Sequence, residues 1–112
     1  FKNIFFDLVI SNAVLHFALD DTHFEKMLNE LWRVVKPGGT LFIRLTSSQG
    51  IAHLTKELGG NRYTLPDGSD RYLVTLERMH EYTHSLSATL MEPIKTTLVE
   101  EQRAMATWIM KK

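Results

Sequence analysis

The chain has 112 residues, 44% apolar and 23% charged, with 13 basic and 13 acidic side chains and no cysteine. That length suits one small domain or part of a larger one, and the balanced charge gives no electrostatic case for nucleic acid or an anionic membrane as partner. The lack of cysteine excludes a disulfide framework and thiolate metal ligation, and it fits the cytoplasmic location expected here.

The first segment, Ile4 to Ile10, is apolar apart from Asp7. A short run this rich in Ile, Val and Phe predicts a strand covered on both faces, as in a parallel sheet. Asp7 also interrupts any signal-peptide pattern, and no run is long enough to cross a membrane as a helix. Asp20-Asp21-Thr22 announces a helix, with Thr22 and Glu25 forming a capping-box pair. Phe24, Met27, Leu28, Leu31 and Val35 follow at helical spacing, Lys36 complements the helix C-terminus, and Pro37-Gly38-Gly39 stops the helix. Thr40 to Leu45 is then a second buried strand. Two such strands joined by one helix predict a parallel, right-handed crossover.

Ile51, Leu54 and Leu58, closed by Gly59-Gly60, outline a short helix. Arg62 to Leu65 and Arg71 to Val74 flank Pro66-Asp67-Gly68-Ser69-Asp70, a turn signal that predicts a hairpin. Thr75 caps a further helix whose inward face is Leu76, Met79, Thr83 and Leu86. Two extended runs, Ala88 to Val99 and Ala104 to Met110, form an antiparallel pair across Glu100 to Arg103. Pro93 cannot donate to a ladder, so its run belongs at a sheet edge.

Two stretches resemble a known family. Phe6-Asp7-Leu8-Val9-Ile10-Ser11-Asn12-Ala13-Val14-Leu15-His16-Phe17 resembles the fourth strand and following loop of class I S-adenosylmethionine-dependent methyltransferases. Leu31-Trp32-Arg33-Val34-Val35-Lys36-Pro37-Gly38-Gly39-Thr40-Leu41-Phe42-Ile43 resembles their next helix end and fifth strand. The likeness is close over residues 5 to 45 and agrees in element order to residue 112, where the family's seventh strand inserts antiparallel between the fifth and sixth. It implies an α/β fold: a partial Rossmann-like methyltransferase sheet of parallel strands four and five plus a C-terminal antiparallel pair. Residues 1–112 would be the C-terminal part of a single methyltransferase domain whose N-terminal half is missing. The chain begins without methionine and almost directly in a strand, which suits that expectation. The family's glycine-rich turn and the acidic residue that holds the ribose have no counterparts here. Gly38-Gly39 precedes a strand, whereas the cofactor turn must lead from a strand into a helix.

In open α/β sheets, ligands sit beyond the carboxyl ends of the parallel strands. Those ends lead into Ser11 to His16 and Thr46 to Gln49. The resemblance implies that Ser11, Asn12, Ala13, Val14 and His16 border S-adenosylmethionine, with Asn12 and Ala13 against its methionine part through backbone. His16 would edge the methyl-acceptor pocket and is the one candidate base. Its ordinary alternative is to bond nearby groups and fix the loop, as Asn12 could serve simply as a turn former. Asp7, at the strand's amino end, suits a structural role. Arg44 could meet an acidic acceptor group or reach solvent.

His80-Glu81-Tyr82-Thr83-His84 is a literal H-E-x-x-H, the spacing that places two zinc ligands one helical turn apart with a glutamate base between. A third ligand would have to come from residues such as Glu92, Glu100 or Glu101, none on a second helix. Solvated histidines on a surface helix are the ordinary alternative, and no metal is expected.

The leading function is methyl transfer from S-adenosylmethionine to a small-molecule acceptor by the full-length parent, with this chain alone inactive and not binding the cofactor. The alternatives are a zinc-dependent hydrolase using His80, Glu81 and His84, and a non-enzymatic fragment that acts by strand-mediated association. If the strand at Ile4 to Ile10 lacks its family neighbour, its apolar edge is exposed, and self-association through that edge is expected.

Overall fold

A computed structural model of the chain describes residues 5–12, 14–47, 55–59, 61–99 and 103–112. Two parallel strands, β1 (Phe6–Asn12) and β2 (Val35–Ser47), flank a helix, α1 (Asp21–Arg33). A small sheet of β3 (Lys56–Gly59), β4 (Arg62–Thr64) and β5 (Asp70–Tyr72) follows, all antiparallel. Then come helix α2 (Leu76–Ser85) and strands β6 (Thr89–Leu90), β7 (Lys95–Val99) and β8 (Arg103–Lys111). In the main sheet β8 runs antiparallel between β2 and the outer pair β6 and β7. This is the last-strand insertion expected from the resemblance, with Pro93 in the edge segment between β6 and β7.

The core lies between one face of this sheet and the two helices. Register pairs Leu41 with Met110, Ile43 with Trp108 and Leu45 with Ala106, and all six are fully buried. Phe24 and Leu28 of α1 and Met79 of α2 join them in one cluster, so the apolar stripe of each helix meets the apolar stripe of the sheet. Leu76 and Leu86 pack partly buried against that cluster, and Thr83 is buried beside it. On the opposite face Phe42, Arg44, Thr107 and Ile109 are only half-buried.

Several expectations need correction. Asp20, not Thr22, caps α1, its carboxylate accepting the His23 backbone N–H at 2.8 Å. The helix ends at Arg33 and the chain is already extended at Val35, before the Pro-Gly-Gly stop, because the Phe6 N–H takes the Val34 carbonyl at 2.7 Å. Lys36 accordingly pairs with Asp7 (3.2 Å) rather than facing a helix end, and Asp7 has a structural partner there. Residues 36–39 bulge where the register jumps from Phe6–Val35 to Leu8–Thr40.

Lys56 to Gly59 is strand rather than helix. Leu58 is 52% exposed, so a helix there would gain little from burying it, whereas Gly59 and Asn61 at positive φ turn the chain back onto β4. Ile51, Leu54 and Gly60 lie outside the described residues. The run from Ala88 to Val99 divides at Met91–Ile94, where Pro93 interrupts the ladder. The strand expected to be covered on both faces is not so covered among the described residues: β1 is an edge strand there, with Leu8 at 55% and Ile10 at 63% exposure. Ile4 and residues 100–102 are outside the described residues.

Candidate functional site at the carboxyl edge of the parallel strands

Because β1 and β2 are parallel, their carboxyl ends share one edge, where Ser11 pairs with Ile43 and Asn12 with Arg44. Beyond β1 the chain makes a 3₁₀ turn, Leu15–Phe17, held by Phe17 N–H to Val14 carbonyl (3.1 Å) and Ala18 N–H to Leu15 carbonyl (3.1 Å). Leu15 and Ala18 are fully buried and anchor the turn in the core. Between them His16, 3% exposed, turns under the end of β2 and shares a 2.8 Å hydrogen bond between Nδ1 and Thr46 Oγ1. The two loops expected to form the site are thus joined by one buried side-chain bond. His16 fixes its own loop in this arrangement, and its ring packs against Phe17 with centroids 4.6 Å apart.

The other candidates lie around it. Asn12 and Val14 are exposed, and Thr46 and Ser47 are buried at the end of β2. Ala13, Ser48 and Gln49 lie outside the described residues. Ser11 is 4% exposed, and its hydroxyl is a buried polar atom with no hydrogen-bond partner among the described residues. A buried hydroxyl without a partner carries a desolvation cost that a ligand's polar group would remove. Together with the exposed Asn12 amide it gives this edge neutral hydrogen-bonding groups that fit the polar amino-acid end of S-adenosylmethionine. Arg44 is half-buried on the sheet face away from the helices.

A second polar cluster went unforeseen. One oxygen of Asp21, in the first turn of α1, accepts from Asn61 Nδ2 (2.8 Å), Arg78 Nη1 (2.9 Å) and the Tyr72 hydroxyl. Arg78 also donates to the hydroxyls of Tyr72 (3.0 Å) and Tyr82 (2.6 Å), and the Tyr82 hydroxyl donates to Glu25 (3.3 Å). The Tyr72 bond, with Asn61 and Arg78, holds the Asp21 carboxyl down at about 2. Burial, reinforced by Asp21, pushes the Tyr72 hydroxyl up, and burial with Glu25 nearby pushes Tyr82 up to about 12. Asp20-Asp21 signals only a helix start in sequence; its partners lie 40 to 57 residues further on, beyond any local spacing rule.

The H-E-x-x-H residues are on α2, with His80, Glu81 and His84 all exposed. Among the described residues no group of three or more metal-ligating side chains comes together, and Glu92 instead lies 3.5 Å from Lys95. Beside the open edge of β1 runs an apolar groove of about 460 Å³, lined chiefly by Phe6, Leu8, Val9, Met27, Leu31 and Val34. Trp108 is fully buried and Trp32 is packed partly buried against the core, so both indoles act in packing.

Residues 1–43 match the family model described as a methyltransferase domain. Among curated proteins, none matches the sequence. In fold, the chain is similar to a Burkholderia thailandensis 1,6-didemethyltoxoflavin-N1-methyltransferase solved with 1,6-didemethyltoxoflavin and S-adenosylhomocysteine. The TM-score is 0.67 at 15% identity, over 96% of this chain and 44% of that one. It is also similar to an O-methyltransferase family protein of Burkholderia thailandensis (TM-score 0.57, 13% identity, 96% of this chain and 31% of that one). A third likeness is to DhpI in its SAH complex (TM-score 0.54, 19% identity, 95% of this chain and 48% of that one). The chain therefore spans less than half the length of each of these structures. Its fold is similar to part of the fold of these methyltransferases, and its first 43 residues match the model of a methyltransferase domain.

Proposed function

We propose that this chain is the C-terminal part of a methyltransferase domain, and that the longer protein moves a methyl group from S-adenosylmethionine to a small-molecule acceptor. The observation that carries the proposal is the carboxyl edge of the parallel strands, where His16 bonds Thr46 and, at the end of β1, the Ser11 hydroxyl is buried without a partner among the described residues. Bound there, S-adenosylmethionine would supply an electrophilic methyl group on a sulfonium. Ser11, Asn12, Ala13 and Val14 would line its amino-acid end, the Ser11 hydroxyl taking up a hydrogen bond it otherwise lacks. His16 would border the acceptor, held in orientation by Thr46. Alignment of the acceptor accounts for most of such a reaction, and a base matters only where a proton must leave.

The chain alone is proposed to be inactive. Titration calorimetry with S-adenosylmethionine should give no appreciable heat with residues 1–112 alone, and binding once the sequence encoded upstream of Phe1 is supplied. Tight binding to the isolated chain would refute the assignment of this segment to the C-terminal part.

We further propose that the isolated chain self-associates through β1, supported by the exposure of Leu8 and Ile10 on an edge strand beside the apolar groove. Sedimentation velocity should find dimers or larger species, dispersed by Leu8→Lys with Ile10→Lys. A monomeric wild-type chain would refute it.

A further inference from the structure

Besides the stacking of Tyr72 on Phe24 and the packing of Leu65 and Leu73 against Ala104, the three-stranded sheet β3–β5 has two polar anchors that do not share a residue. Toward the carboxyl edge, Arg62 Nη1 donates to the Ala18 carbonyl at 2.6 Å, and the Arg71 guanidinium lies 4.7 Å from the centre of the Phe17 ring. Both contacts fall on the turn that carries His16. Away from that turn, Asn61, just before β4, and Tyr72, at the end of β5, converge on the single oxygen of Asp21, which also holds Arg78 of α2. Leu73 N–H to Asn61 carbonyl (2.9 Å) extends the β4–β5 ladder at the end that carries the Asp21 anchor. Asp21 is the first residue of α1, and the loop between the 3₁₀ turn and α1 is short. The same carboxylate that seats the small sheet therefore stands at the far end of the loop the small sheet covers.

We propose that Asp21 is a positioning residue that clamps the β3–β5 sheet as a cap over the His16 loop, so that cap and loop hold or release their geometry together. A charged acceptor with several donors on one oxygen is strong and directional, and its loss is felt by every element that donates to it. Arg62 and Arg71 reach the turn from the cap, alongside the packing of Tyr72 in the same buried cluster as Leu15 and Ala18, so a cap loosened at Asp21 loosens its hold on Phe17 and Ala18. Under the methyl-transfer proposal, on which this part rests, the cap is the acceptor-side wall of the site. The coupling itself requires neither cofactor nor acceptor.

Residue-resolved amide hydrogen exchange on the chain tests the coupling directly. In Asp21→Asn, the amides of Leu73, Phe17 and Ala18 should exchange faster together, by about tenfold, while the β2–β8 ladder stays within about twofold. In Asn61→Ala, which removes one of the donors and leaves the charge, the same three amides should accelerate together by a smaller factor. In Arg62→Ala, Phe17 and Ala18 should accelerate while Leu73 does not. Acceleration of Leu73 alone in Asp21→Asn would overturn the coupling, and so would a parallel rise across the β2–β8 ladder, which would reduce Asp21 to a contributor to global stability. If Asp21→Asn does not fold, Asn61→Ala decides by the same criterion. Failure of S-adenosylmethionine to bind any longer form of the protein would remove the methyl-transfer proposal and leave these exchange results standing.

Discussion

Replacing Thr83 by Val tests how a buried polar contact between helix and sheet stabilises the fold. Trp108 is fully buried, and its indole N–H donates to Thr83 Oγ1 at 3.0 Å, while the Thr83 hydroxyl donates to the Met79 carbonyl at 2.8 Å. Valine keeps the β-branch and removes the hydroxyl, both as acceptor for the indole and as donor to the Met79 carbonyl, so the indole N–H loses its Thr83 acceptor. That penalty is about 1–3 kcal/mol. The methyl group gained in place of the hydroxyl offsets at most about 0.8 kcal/mol, leaving a net loss of about 1–2 kcal/mol. For a domain of this size the melting temperature should fall by about 4–15 °C.

The discriminating assay is a double-mutant cycle with Trp108→Phe, followed by urea unfolding. Phenylalanine has no N–H to strand, so Thr83→Val in that background should cost almost nothing, giving a coupling of about 1 kcal/mol or more. Equal cost of Thr83→Val in both backgrounds would mean that the loss comes from packing on α2. Thr83→Ser, which retains the hydroxyl, should keep most of the coupling.

Gly39→Ala should destabilise the chain by about 1–3 kcal/mol in urea unfolding, as overpacking against backbone does. A Cβ there would meet the Asp7 and Lys36 carbonyl oxygens at 2.9 Å each, and a melt like wild type would refute the tightness of the β1–β2 bulge. Gly38 differs: its φ is +85° with nothing within 4 Å, so Gly38→Asn should be tolerated better than Gly38→Val, whose branched side chain is strained there. Asp21 titrates lower in the fold, at about 2, than its ordinary 3.8, so its contribution is fully present above about pH 4 and is lost as pH falls toward 2. Its side chain is 48% exposed, and solvent screening limits that contribution to about 1 kcal/mol. Asp21→Asn should flatten the acid limb of stability between those pH values, and an unchanged limb would count against the ion-pair account.

The parts of the fold legible in sequence are those set by local pattern. The α1 stripe from Phe24 to Leu31, the Thr75 cap and the Pro66–Asp70 turn each depend on residues within one or two turns of each other, and each forms as its pattern predicts. Val35, counted with the stripe, belongs instead to β2. Pro93 was equally legible, since a missing N–H restricts it to an edge wherever the partners are. The misplaced features depend on competition between neighbours. Thr22 and Asp20 are both good caps, and Asp20 prevails one helical step earlier. Lys56 to Gly59 has too little apolar pattern to choose a state, and pairing with β4 chooses for it. The Asp21 cluster was illegible because Asn61, Tyr72 and Arg78 reach it only through tertiary packing.

The same strand carries both the candidate site and the open edge, and this constrains what can complete either. Ser11 is buried in β1 with its hydroxyl unpartnered among the described residues, while Leu8 and Ile10 of that strand stand exposed. Among the described residues β1 pairs only with β2, so its other backbone edge is open along its length. A strand that pairs along the whole of β1 would lie beside Ser11 and Asn12 as well as Leu8 and Ile10, because strand neighbours lie only about 4.8 Å apart. Under the proposed function, a strand paired that far would both cover the apolar residues and bound the cofactor edge. If both proposals hold, a second copy that covers β1 would compete with whatever strand completes the site. Self-association and S-adenosylmethionine binding should then oppose each other in a longer form of the protein, a competition that sedimentation with and without S-adenosylmethionine would read.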